Sequence, residues 1–220
     1  MTLADIRQAL LTAAVLAATS CLLHAQGTFQ NLNFEQALVP DVLAGQYGGD
    51  VLVTNGAPHW AVYLGGTQQS SMFHNNLSLG GPAVSIFGPQ WISSQILEGN
   101  YTISLQPSTA GPPLTAAIGQ TGSIPLTAKS VRFYGQANGG YAVTFGGQPI
   151  PLITIGSTSS YSIFGGDISA FANQTGELRF QGVGLLDAVQ FSTVAIPEPG
   201  VFGLSALGAL LLGWRVLRRR

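Results

Sequence analysis

Seven carboxylates lie between the chain's two apolar extremities: Glu35, Asp41, Asp50, Glu98, Asp167, Glu177 and Asp187. Glycoside hydrolysis needs two such groups facing one another across a cleft, one as acid and one as base or nucleophile. No spacing among the seven marks such a pair, which leaves a glycoside hydrolase as the last of the readings. His59 and His74 are too few and too isolated for a zinc site with recognisable ligand spacing. His59, between Pro58 and Trp60, reads as a loop residue, and His74-Asn75-Asn76 as an exposed turn. Gly80-Gly81-Pro82 and Gly146-Gly147-Gln148 lack the serine of a nucleophile elbow, and no glycine-rich loop leads into a helix to cradle phosphate. The glycines read as turn formers, and the chain reads as non-catalytic.

Aromatic rings offer a different chemistry, because sugars stack their apolar faces on exposed Trp and Tyr while amides and carboxylates take the hydroxyls. Tyr47, Trp60, Tyr63 and Trp91 are the available rings. In a sandwich most aromatics fill the core. Tyr47 and Trp91, set among Gly, Pro, Gln and Ser, are the two expected on loops and so the candidate ligand-binding pair.

Those groups must be carried by one ordinary domain, since setting both ends aside leaves residues 26–194 to fold. Only 8% of the 220 residues are charged and 29 are glycine, the balance of an extracellular β-rich protein. Lys129, Arg132 and Arg179 are the only basic residues of this middle portion, against the seven acids, a net charge of about −4. A nucleic-acid partner is excluded on that ground, because a phosphate backbone calls for clustered Lys and Arg.

The N-terminus opens with a short segment carrying Arg7, then a mostly apolar run from Ala9 to Leu23, then His24-Ala25-Gln26. A basic start, a short apolar run and a small residue at Ala25 make a secretory signal peptide over 1–25, handed to the secretion machinery and cut after Ala25. The competing reading is a lipoprotein box at Ala18-Thr19-Ser20-Cys21, with Cys21 acylated. With the cut after Ala25 the mature protein has no cysteine, hence no disulfide, and depends on packing, hydrogen bonds or a bound ion.

At the other end, Pro197-Glu198-Pro199 precedes the apolar stretch Val201–Leu212 and the terminal Arg218-Arg219-Arg220. Prolines end the preceding strand, apolar residues can enter a bilayer as a helix, and arginines hold the tail on the cytoplasmic side. These three parts, in this order over residues 195–220, resemble the PEP-CTERM sorting signal of exported proteins in Gram-negative bacteria that make exopolysaccharide. The resemblance implies an exosortase as partner, a membrane-embedded enzyme that cuts near the motif, with the inner membrane as a transient station and the cell envelope or extracellular space as destination. A plain C-terminal membrane anchor is the alternative, and it too places the cargo outside the inner membrane.

The middle portion has no sustained helical period. Short runs rich in β-branched and aromatic residues alternate with Gly, Pro, Asn and Ser clusters, an all-β pattern. The expected strands are Val51–Thr54, Trp60–Leu64, Val84–Phe87, Tyr101–Leu105, Ala116–Gln120, Val131–Tyr134, Ala142–Phe145, Ile150–Ile155, Tyr161–Phe164, Glu177–Gln181 and Ala188–Phe191, with one helical turn at Asp167–Phe171. Tyr101, Ile103 and Leu105 alternate with Thr102 and Ser104, as in a strand with one face on a core. Asn138-Gly139-Gly140 predicts a tight hairpin between Val131–Tyr134 and Ala142–Phe145. Short strands in this number suit a two-sheet sandwich of jelly-roll type.

Asn31-Leu32-Asn33-Phe34-Glu35, Glu98-Gly99-Asn100-Tyr101, Asp167-Ile168-Ser169-Ala170-Phe171 and Leu186-Asp187-Ala188-Val189-Gln190-Phe191, in that order, resemble the galactose-binding-domain-like sandwich shared by many carbohydrate-binding modules. The resemblance implies that Glu35 and Asp187, on opening and closing strands that lie side by side, help hold a structural calcium ion. Hard oxygen ligands suit that ion, and a cysteine-free domain would gain from the clip. The alternative is that both carboxylates cap strand ends or accept from loop amides. The combined expectation is an exported, non-catalytic surface or extracellular-matrix protein, or else a carbohydrate-binding module of the envelope or exopolysaccharide.

Overall fold

The computed structural model describes residues 27–43, 45–91 and 96–196, without the side chains of 137–139. The expected signal peptide with Cys21, the Pro197-Glu198-Pro199 motif, the C-terminal apolar helix and Arg218, Arg219 and Arg220 lie outside the described residues. Among the described residues no helix is long and apolar enough to cross a membrane.

The domain is all-β. Its strands are β1 (Asp50–Leu52), β2 (Ala61–Leu64), β3 (Thr67–Gln69), β4 (Ser71–His74), β5 (Ala83–Phe87), β6 (Thr102–Gln106), β7 (Ala116–Ser123), β8 (Ser130–Phe145), β9 (Gln148–Ile150), β10 (Leu152–Ser157), β11 (Ser162–Asp167) and β12 (Thr175–Ser192). A single helical turn, Val53–Gly56, follows β1, and a 3-10 turn, Ser169–Phe171, precedes β12.

Two long strands organise everything else. Along one edge, β12 pairs with β7 over Thr175–Gln181 and with β6 over Gly184–Leu186. Along its other edge it pairs with β8, which passes the ladder on to β9 through Val143–Phe145 and to β11 through Ser130–Gly135. The first half of β12 therefore carries β7, β2 and β3, and the second half carries β6, β5, β4 and β1. Hydrogen bonding runs unbroken through all of them as one mixed sheet, in which only β4 and β5 are parallel. Register shifts between Val183 and Gly184 mark the division, and such a bulge bends the strand. Gly182 is required there, since a Cβ would strike the Gly140 carbonyl.

Alternation along β12 buries Leu178 and Phe180 completely and leaves Glu177 and Arg179 half-buried on the opposite face. Phe180 meets Phe133 of β8 edge-on at 5.2 Å and Trp60 at 6.2 Å, so side chains from both halves of the sheet share one core. A smaller cluster of Phe87, Leu97 and Leu185, with Trp91, Tyr134 and Tyr161 against it, covers the other face of β5 and β12. That second layer explains why Thr102 and Ser104 of β6 are buried along with Ile103 and Leu105, where the alternation alone suggested one solvated face.

Three expectations need correction. The Asn138-Gly139-Gly140 segment makes no hairpin: β8 runs straight through it, because β12 offers a continuous partner and Gly146-Gly147 supplies the turn into β9 instead. Glu177–Gln181 and Ala188–Phe191 are likewise one strand. Val51–Thr54 is extended only to Leu52.

The first and last described segments are both fixed to the sheet. Thr28 N donates to Ser123 O at 3.4 Å and Ser123 N to Thr28 Oγ1 at 2.7 Å. After β12, Ser130 Oγ and Arg132 donate to the Val194 carbonyl, at 2.7 and 3.4 Å, and Ile196 is buried against Gly165, where a Cβ would come within 2.7 Å of its Cδ1.

Candidate functional site

The opening segment is folded by positive-φ turns at Asn31 and Phe34 and anchored by the fully buried Phe34 ring. Asn31 accepts from Gln36 N and donates to Pro58 O, Trp60 Nε1 donates to Asn31 O, and Val189 N donates to Leu32 O. The last of these sets the segment beside β12, two residues from Asp187. Glu35 and Asp187 are thereby brought to one small cavity of about 230 Å³, lined also by Asn33, Glu98 and Gly99.

Both carboxylates grip the loop that leads into β6. Glu35 Oε1 accepts from Asn100 N at 2.8 Å and Tyr101 N at 3.0 Å, and Oε2 from Asn100 Nδ2 at 2.9 Å. Gly99 has φ +61°, and any side chain on it would collide with the Glu35 carboxylate. Asp187 Oδ2 accepts from Thr102 Oγ1 at 2.6 Å and Glu98 N at 3.2 Å, and Oδ1 from Ala188 N at 2.7 Å. Thr102 Oγ1 in turn accepts from Leu97 N. Ala188 has φ +47°, inside a bulge where β12 slips its register on β8. A non-glycine residue held there costs about 1–3 kcal/mol, and the hydrogen bonds around Asp187 offset it.

Asp187 is 1% exposed. Burial pushes its pKa up to about 7, with Glu35 adding to the rise, while the bonds from Thr102, Ala188 and Glu98 pull the other way. No basic side chain lines the cavity. Glu35, Glu98 and Asp187 are hard oxygen donors with no counter-charge among the lining residues, the ligand type that calcium takes. Among the described residues no three His, Cys, Asp or Glu side chains converge closely enough to hold a metal ion. Glu98, Gly99 and Thr102 are site residues that sequence reasoning missed; the Glu-Gly-Asn run was visible but carried no ligand spacing.

Tyr47 and Trp91, far apart in sequence, also meet. Their ring centroids are 5.5 Å apart, Tyr47 is 72% exposed, and Trp91 stacks on Phe87 at 5.2 Å. The loop carrying Tyr47 is tied to the end of β4: His74 N donates to Gly49 O, Gly48 N to Asn75 O, and Asn76 Nδ2 to Gly48 O. The expected exposed turn at His74-Asn75-Asn76 is thus a correction, because this loop covers it; His74 is 1% and Asn75 0% exposed. Trp60 is a core residue, and His59 sits in a loop with φ +73°.

Tyr63 braces the sheet instead of facing a ligand. Its hydroxyl donates to Glu177 Oε1 at 2.6 Å, and Arg179 pairs with Glu177 at 2.9 Å while lying 3.9 Å above the Tyr63 ring. Burial and the bond to Glu177 push the Tyr63 pKa up. No protein-family model matches the chain, and neither the curated proteins nor the solved structures contain a match to it.

Proposed function

We propose that this chain is an exported, non-catalytic surface or extracellular-matrix protein whose β-domain is the cargo of a PEP-CTERM address. The observation that carries the reading is that residues next to both proposed cut points are held on the sheet. Thr28 is already bonded to β7, three residues beyond the Ala25 cleavage point, and Ile196 is buried on β11 immediately before Pro197. A self-sufficient domain flanked directly by two removable signals is the layout that secretion followed by exosortase cleavage requires. In an exopolysaccharide-producing Gram-negative host, the wild-type chain is expected in the envelope or medium. Replacing Pro197, Glu198 and Pro199 together by Ala should leave an unprocessed precursor in the inner membrane; identical fractionation of both chains would contradict the address.

For the domain itself we favour a jelly-roll-like sandwich of the galactose-binding kind, with the halves of β8 and β12 contributing to two packed layers. Convergence of Glu35 and Asp187 beside the first and last segments supports this. Calcium bound there would supply no reaction chemistry, only charge balance for the buried Asp187 and its carboxylate neighbours.

A second reading, a carbohydrate-binding module, is favoured by one observation: the exposed Tyr47 ring meets the partly buried Trp91 ring. Such a pair can stack on the apolar face of a sugar ring. A glycan array on the mature domain, repeated with Tyr47→Ala and Trp91→Ala, tests it; binding that both substitutions leave unchanged would place the site elsewhere.

A further inference from the structure

The Tyr47–Trp91 corner hangs on one strand. β1 pairs only with β4, and the loop carrying Tyr47 is bonded to the end of β4. β4 in turn reaches the rest of the sheet through two parallel pairs, Phe73 with Ser85 and His74 with Ile86. Asn75 extends that seam, its N donating to Ile86 O at 3.0 Å and its Oδ1 accepting from Gly88 N at 2.7 Å.

At this seam the His74 imidazole is buried with neither ring nitrogen hydrogen-bonded. Its Nε2 lies 3.3 Å from where a Cβ of Gly88 would stand, with the Tyr101 ring 3.2 Å from the same point. A neutral imidazole can be tolerated in such a place, but an imidazolium brings a charge and two N–H groups that find no acceptor. Asn75 Nδ2 and Trp91 Nε1, also buried and unpartnered, are donors themselves. Ser85 Oγ could accept, but register places it on the face opposite His74.

The titratable groups around the seam are few. Asp41, from the segment before β1, favours the protonated ring but is outweighed by burial, which holds the His74 pKa below the ordinary value. Asp50 lies in β1, opposite Phe73 in the register. Tyr101 faces the ring from the approach to β6, and β5 contributes no titratable residue.

We propose that His74 is an acid-sensitive latch: protonating it frees the end of β4 and the Tyr47 loop from β5, separates Tyr47 from Trp91, and so releases a saccharide stacked across the two rings. The release step rests on the saccharide reading; the latch does not. The sign follows from linkage. The open seam exposes a histidine titrating near its ordinary value of about 6.5, and the closed seam resists the proton, so closure is secure above that pH and weakens as pH falls through it.

Two measurements on the mature chain decide the matter. Amide hydrogen exchange at pH 7.5 and 5.0, corrected for intrinsic rates, should show protection at Gly48, His74 and Asn75 falling roughly tenfold or more in acid, while Ile118 and Phe180 hold theirs. His74→Leu and His74→Gln should each abolish the difference; two variants guard against one failing to fold. Acid-independent protection in the wild type, or a pH effect that survives both substitutions, overturns the latch. The second measurement titrates a neutral hexasaccharide of β-linked glucose. Affinity that drops in acid for the wild type but not for His74→Leu supports release. No binding at any pH, or equal binding at both, removes the release step and leaves exchange to judge the latch.

Discussion

Gly99 answers two demands at once: it adopts φ +61° and it leaves room for the Glu35 carboxylate. Gly99→Ala is expected to cost about 2 kcal/mol, read by chemical denaturation, with Glu35→Gln losing part of the same energy through its weakened bonds to Asn100 and Tyr101. Asp187 gives a pH signature of opposite sense. Its folded pKa of about 7 exceeds the ordinary carboxylate value, so its contribution to stability is full in acid, below the unfolded pKa, and is lost as pH rises toward 7 in the absence of a cation. Calcium at a hundredfold its Kd should restore about 2.7 kcal/mol at pH 7.5 and little at pH 4.5. Asp187→Asn should remove both the pH dependence and the calcium response. Thermal melts that ignore calcium at pH 7.5 would reduce Glu35 and Asp187 to clamps on the loop before β6. At this scale the sequence was informative where residue type mattered and silent where packing did. Glu35, Asp187, Tyr47 and Trp91 could be singled out, and the fold brings each pair together. His74 and Asn75 could not, because a polar His-Asn-Asn run looks solvated until the Tyr47 loop is known to lie over it.

Strand content was legible from β-branched and aromatic runs, and β2, β5, β6, β7 and the 3-10 turn fall close to where those runs lie. Strand length was not. Asn138-Gly139-Gly140 is a local hairpin signal, yet long-range pairing of β8 with β12 overrides it and leaves a register shift opposite Val183 and Gly184. β3, polar, and β4, only four residues long, have no apolar period to announce them; they pair along the edges of β2 and β5. The register shift itself is testable through Gly182. Adding a methyl group there drives a Cβ into the Gly140 carbonyl, so Gly182→Ala is expected to destabilise by about 2–3 kcal/mol, against a few tenths for Gly49→Ala, whose Cβ would meet open space. Equal denaturation midpoints for the two variants would show that β8 and β12 do not close as tightly as described.

Over the whole molecule, a domain with no cysteine in residues 27–196, a net charge of about −4 and a shared aromatic core carries its own stability through burial. Val194 and Ile196 dock against β8 and β11, so processing beyond Pro197 would leave these contacts in place. Export with removal of both extremities is the central claim, and intact-mass analysis of the protein recovered from the envelope or medium of its native host tests it most directly. The expected species begins at Gln26 and has lost the segment beyond the Pro197-Glu198-Pro199 region, with or without an added matrix group. A full-length polypeptide of 220 residues, dissolved in the cell interior with both ends uncut, would contradict it.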